Sequence, residues 1–178
     1  MRPSRPRCQP ATGYGLMELV TVLCVLGVVA GMALPGLQRV LDRVRADSLR
    51  MQLHSVLASA RSTAITRRKK IGACPSSDGR QCGSDWAHGW LLFEVAPGTP
   101  PGAPPTDPFL VEQRPRSPVQ AIASKSRKRI HFRPDGRNAG TNDSVKICLG
   151  EQLHSKVVVS VPGRVRSERP RRPTPCAR

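Results

Sequence analysis

Five arginines fall within nine residues near the C-terminal end of this 178-residue chain: Arg164, Arg166, Arg169, Arg171 and Arg172. A guanidinium presents a planar fork of donors that matches phosphate oxygens, so a cluster this dense suits a polyanion. The first two belong to the stretch Gly163-Arg164-Val165-Arg166. Gly163 lets the backbone turn freely, and a spacing of two predicts both guanidiniums on one face of an extended segment. Such contacts reach phosphates and not base edges, so binding would be indifferent to sequence and steep in salt. Arg169, Arg171 and Arg172 follow among prolines. Residues 167–178 are expected to be a disordered basic tail that adds electrostatic reach.

Other chemistries find less support. His54, His88, His131 and His154 are far apart, and the six cysteines form no C-x-x-C pair, so no zinc site is indicated. No serine, histidine or acid has the local motif of a nucleophile elbow, a P-loop or a zincin. The expectation is a protein that is not an enzyme and carries no cofactor or metal. Lys and Arg number 29 against 12 Asp and Glu, a formal charge of +17, which favours nucleic acid, acidic polysaccharide or anionic lipid as partner. Aromatics are 3%, too few for a platform that stacks single-stranded bases.

The elements that would position the arginines begin far away. Residues 1–13 carry Arg2, Arg5 and Arg7 and no acid; Tyr14 to Leu34 is apolar apart from Glu18, Thr21 and some glycines. A helix over that run rises roughly 30 Å, enough to cross a hydrocarbon core. One reading is a secretory signal peptide with Gly31-Met32-Ala33 as its cleavage site. The other turns on Glu18, since an acid within a membrane helix calls for a named partner. A free α-amine created by cleavage after Gly13 would be one.

From Leu37 the pattern becomes a basic amphipathic helix. Leu37, Val40, Leu41, Val44, Leu49, Leu53, Val56, Leu57, Ala60 and Ala64 recur at spacings of three and four, predicting a stripe packed on a globular part. Arg67-Arg68-Lys69-Lys70 closes it as a solvated cap. Beyond Lys70, short apolar runs predict antiparallel strands at 71–74, 89–95, 109–113, 119–123, 129–133, 145–149 and 156–161. Ser77-Asp78-Gly79 and Pro134-Asp135-Gly136 supply turns, and residues 96–108 are too rich in proline and glycine for anything but an exposed loop.

Gly13-Tyr14-Gly15-Leu16-Met17-Glu18-Leu19 resembles the prepilin motif of type IV pilins and type II secretion pseudopilins. The resemblance implies cleavage after Gly13 by a prepilin peptidase and methylation of Tyr14. It also implies retention of Glu18 to pair with a neighbouring subunit's amine in a filament. Pro35 sits where that family has its helix-kinking proline, whereas Gly15 departs from the usual threonine or serine. Several stretches then resemble, in order, the GspH/FimT family of minor pilins and pseudopilins. They are CPSSDGRQC, Trp86, Gly89-Trp90-Leu91-Leu92-Phe93, Ile130-His131-Phe132-Arg133-Pro134-Asp135-Gly136-Arg137, Val145-Lys146-Ile147-Cys148 and Gly163-Arg164-Val165-Arg166.

That resemblance implies an α+β, pilin-like fold: a long N-terminal helix, membrane-spanning in its first half, packed on a small antiparallel β-sheet or sandwich. The expected organisation is a leader at 1–13, a transmembrane segment at 14–35, a helical stalk at 36–70, a β-domain at 71–166 and the tail at 167–178. The chain would sit in the inner membrane as a single-pass protein with a periplasmic C-terminal domain, before joining the filament. Cys74 and Cys82 would close a short loop in that oxidising compartment. Cys148 competes for either partner, and Cys176 is expected to be free or intermolecular.

In the FimT branch the Gly-Arg-x-Arg motif is associated with DNA binding, so the resemblance extends that role to Gly163, Arg164 and Arg166. Loss of the three leader arginines from the 29 basic residues would leave 26 against 12 acids, or +14. The expected partners are other pilins or pseudopilins, prepilin peptidase, double-stranded DNA and the inner membrane. The expected function is a minor type IV pilin taking up DNA in transformation. The alternatives are a GspH-like pseudopilin of a type II secretion system and a membrane-anchored basic protein outside any filament.

Overall fold

The computed structural model of the chain describes residues 15–100, 102–115, 117–123 and 128–176. Gly13 and Tyr14, the expected cleavage and methylation positions, lie outside the described residues. Leu16–Arg67 forms a single α-helix, α1, with Glu18 in its first turn and Arg67 in its last, each suited to the helix dipole. Pro35 lies inside α1 without ending it, so its missing donor is tolerated there. The helix stops at Arg68, whose φ of 52° is left-handed. The amides of Arg68 and Lys69 turn back to the carbonyls of Ile65 and Ala64, both at 3.3 Å, as at a left-handed helix cap.

The chain divides into two units, residues 1–39 and 40–178. In the first, the described helix is long and apolar enough to cross a membrane, and Leu19, Leu23, Leu26 and Val29 are all exposed. In the second, Ala46, Leu49, Leu53, Val56, Leu57, Ala60 and Ala64 of α1 are buried. The expected stripe is therefore covered only from Ala46 onward. Leu37, Val40, Leu41 and Val44 remain 55%, 54%, 43% and 59% exposed.

Eight strands follow among the described residues, in two four-stranded sheets. β1 (Ile71–Pro75), β2 (Gly89–Glu94), β3 (Leu110–Gln113) and β5 (Ile130–Phe132) take the order β3-β2-β1-β5. β4 (Val119–Ala123), β6 (Asp143–Leu149), β7 (Gln152–Val159) and β8 (Val165–Glu168) take the order β4-β6-β7-β8. Every pair is antiparallel. Alternation aims Val145 and Ile147 of β6 and Val157 and Val159 of β7 into one core, shared with Leu53 and Leu57 of α1 and with Ile71 and Ala73 of β1. Asp85 ties the sheets together: its carboxylate accepts from Ala87 at the head of a 3-10 turn (Trp86–His88) and from Ala121 of β4, at 2.8 and 2.9 Å.

Seven strands fall where hydrophobic alternation predicts them, with ends moved by a few residues. β8 does not. Its sequence, Val-Arg-Ser-Glu, carries a single apolar residue because it is an edge strand. Edge positions tolerate charge that a central strand would not.

Candidate nucleic-acid interface

The hairpin between β7 and β8 is set by two close approaches of backbone. Gly163 donates to the Ser160 carbonyl at 2.8 Å, and Ser160 donates to that of Arg164 at 3.0 Å. Gly163 has φ +81° and is buried; a Cβ there would overlap the carbonyl oxygen of Gly136. Gly136, φ +77°, is itself pressed on α1, where a Cβ would meet Ile65 Cδ1 at 2.6 Å. Three hydrogen bonds hold the crossing: Asn138 N to Val161 O at 3.0 Å, Val161 N to Asn142 Oδ1 at 3.0 Å, and Arg61 Nε to Gly136 O at 3.1 Å. The glycine is thus required by packing as well as by the turn.

The hairpin leaves Arg164 and Arg166 in different surroundings. Arg164, exposed, borders an open depression of about 320 Å³ with His54, Ala58, Arg61, Ser62 and Ile65 of α1 and Val165. Among the described residues it has no ion pair. Arg166 lies in β8, its Nε 2.8 Å from Glu168 Oε1. The other oxygen of Glu168 is 2.7 Å from Nζ of Lys156, its cross-strand partner. The Lys156 hydrogen bond, seconded by the charges of Lys156 and Arg166, holds the Glu168 carboxyl below its usual pKa. Both arginines are exposed on either side of half-buried Val165, but among the described residues only Arg166 is ion-paired.

The tail departs further from expectation. Ser167 and Glu168 belong to β8, and Ser167 Oγ accepts from Arg50 Nη1 at 2.9 Å. Arg169 Nη2 lies 2.6 Å from Asp47 Oδ1 on α1, which also has His154 Nε2 at 3.0 Å and Arg50 Nε at 3.4 Å. Partial burial opposes ionisation of Asp47, but the hydrogen bonds and charges of His154 and Arg169 outweigh it and lower its pKa. The chain then returns along β7: Leu153 N donates to Thr174 O at 2.8 Å and Cys176 N to Glu151 O at 2.7 Å. Cys176 is bonded to Cys148, Cα to Cα 6.0 Å. Residues 167–176 are therefore a strap and not a disordered tail, and Cys176 is neither free nor intermolecular. Backbone pairing and a covalent tie outweigh the proline content that suggested disorder. Arg171 and Arg172 stand exposed on the strap with no ion pair among the described residues.

Cys74 is bonded to Cys82, Cα to Cα 5.5 Å. In the loop they close, Asp78 accepts from the amides of Gln81 and Arg80 at 2.9 Å and from Ser76 Oγ at 3.0 Å. These bonds lower its pKa to about 2. The expected cap of the helix is also engaged: Arg67 and Lys69 reach the two oxygens of Glu94 at 3.0 and 2.6 Å. Glu18, at the far end of α1, is exposed and has no side-chain partner among the described residues. His54, Arg61 and Ser62 escaped sequence reasoning, although they share one helical face. Nothing local announces that a hairpin more than a hundred residues later will lie beside it.

Residues 50–163 match the family model of the type II transport protein GspH. The chain belongs to the GspH family. Its match ends at Gly163, so it includes the glycine of the hairpin and neither arginine that follows. The fold is that of pilins. Two crystal forms of the type IV minor pilin FimU from Pseudomonas aeruginosa superpose with TM-scores of 0.58 and 0.55 at 20% and 19% identity. The matches cover 75% and 72% of this chain and 95% and 96% of FimU. The minor pseudopilin EpsH of the Vibrio cholerae type 2 secretion system, 12% identical, gives 0.49 over 72% of this chain and 99% of its own. No curated protein matches in sequence. By family and fold this GspH-family protein is a minor pilin or pseudopilin.

Proposed function

We propose that this subunit joins a type IV filament and binds double-stranded DNA without sequence preference, for uptake. The observation that carries the reading is the division of the C-terminal arginines. Glu168 and Asp47 are taken up by Arg166 and Arg169, while Arg164, Arg171 and Arg172 are exposed and unpaired among the described residues. Unpaired guanidiniums on a protein of charge +17 favour a polyanion, and ordered ones give phosphate contacts with less entropy to lose. Prepilin peptidase would cut after Gly13 at the inner membrane and methylate Tyr14. The Glu18 carboxylate, without a side-chain partner among the described residues, would then pair with the new amine of a neighbouring subunit.

The test is fluorescence anisotropy of the full chain in detergent with a duplex of about 30 base pairs, across a salt series. With four to six phosphates neutralised, log K should fall against log salt with a slope of about −4 to −5, alike for unrelated sequences. Absence of binding at about 50 mM salt, the low end of the usual range, sinks the DNA reading. A second reading, a pseudopilin serving protein secretion, is favoured by the match to a type II transport protein. Deleting the gene separates the two, by loss of DNA uptake with secretion intact or the reverse.

A further inference from the structure

We infer that Arg61 of α1 and Arg164 of the β7–β8 hairpin form one phosphodiester-binding site, with Ser62 and His54 as additional donors. The inference rests on the DNA-binding reading above and says where on the molecule the duplex backbone is gripped. The two guanidiniums come from parts of the chain about a hundred residues apart and border the same open depression of about 320 Å³. No acid lines it. Its remaining walls, Ala58, Ile65 and Val165, are apolar, which weakens the competition of water for a bound anion.

Arg61 is pre-set for this role. Its Nε donates to Gly136 O at 3.1 Å, which fixes the guanidinium and leaves Nη1 and Nη2 without partners among the described residues. The same carbonyl is the one on which Gly163 packs. One oxygen therefore fixes Arg61 and, through the glycine crossing, the strand start that carries Arg164. Ser62 is exposed and has no hydrogen-bond partner among the described residues; the same holds for the half-buried His54. Two forks, a hydroxyl and an imidazole around one concavity match a tetrahedral group with several acceptor oxygens. The strap differs: Arg171 and Arg172, exposed on it, would act as charges that raise affinity without orienting the duplex.

The test uses the full chain in detergent and the same duplex. Ser62→Glu puts a carboxylate into the depression without removing any hydrogen bond of the fold. It should weaken binding at least about tenfold and make the salt slope shallower by about 1 to 2. Arg164→Ala should move both readouts in the same direction. Ser77→Glu makes the same charge change on the Cys74–Cys82 loop, at the other end of β1 from the Gly136 loop, and should cost less than about threefold given screening beyond a Debye length. If the wild type binds and Ser62→Glu does no more than Ser77→Glu, the site is wrong and the DNA reading stands. Loss confined to Arg171→Ala/Arg172→Ala would place the grip on the strap and overturn the inference as well. If the wild type does not bind, the DNA reading itself falls, and the site with it.

Discussion

The hairpin tip at residues 160–166 and the strap at residues 167–176 carry the same kind of sequence and are held in different ways. The tip is positioned by exclusion: Gly163, left-handed, is pressed on the backbone carbonyl of Gly136, and Gly136, also left-handed, is pressed on the Ile65 side chain of α1. The strap is positioned by attachment: the Arg169–Asp47 ion pair, two backbone hydrogen bonds to the β6–β7 hairpin and the Cys148–Cys176 disulfide. Packing leaves Arg164 at a concavity with no ion pair among the described residues. Attachment consumes Arg169 and leaves Arg171 and Arg172 on an open surface. Charge density alone therefore says little about which arginines are available. What each guanidinium's neighbours already hold decides it.

The largest expected effect tests the attachment. Replacing Cys148 and Cys176 together by serine should lower the free energy of unfolding by about 3–4 kcal/mol on the loop-entropy estimate for a sequence separation of 28. The corresponding change at Cys74 and Cys82, separated by 8, should cost about 2–3 kcal/mol. Denaturant titration of the two double mutants checks the order, and a reversed order would mean that the strap contributes little to the folded state. Next, Gly163→Ala should cost about 2–4 kcal/mol, since it meets both a left-handed backbone and a fixed carbonyl. Gly98→Ala has a similar φ, +80°, but open space, and should cost about 1 kcal/mol. Equal costs would show that the crossing is not what places the tip.

The smallest effect concerns acid. The folded pKa of Asp47 lies below its ordinary 3.8, so its ion pairs contribute stability that is complete above that value and is lost as pH falls through the lower one. Asp47→Asn should remove this pH dependence, at a cost of less than about 1 kcal/mol for a pair so open to solvent. Hydrogen exchange at residues 169–176 reads it. Exchange in the strap that is insensitive to both acid and the substitution would assign its order to the disulfide alone.

Much of the fold was legible in local pattern. The apolar run, the helical stripe and seven of the strands follow from periodicities of 3.6 and 2, which each residue shares with near neighbours. The parts that were not legible depend on distant partners. β8 shows one apolar residue, Val165, and takes its place as an edge strand by backbone pairing with β7 alone. The stripe before Ala46 looks like the stripe after it, yet only the later part meets the sheets. Cys176 looked solitary because its partner is 28 positions away. At the candidate site the Gly-Arg-x-Arg stretch was visible at once, whereas Arg61, Ser62 and His54 had only a shared helix face to suggest them.

By itself, the sequence determined the arginine density, the span able to cross a membrane, the prepilin-like stretch ending at Glu18 and the GspH-type order of motifs. These are properties of residue type and short spacing. The tertiary structure alone decided which arginines remain free. Arg169 is matched to an acid 122 positions away and Arg61 to a carbonyl 75 positions away, and Arg164 comes to border the depression beside Arg61 only when β8 takes its place at the sheet edge. An ion pair is a matter of a few ångströms between charges, and only the folded chain sets that distance.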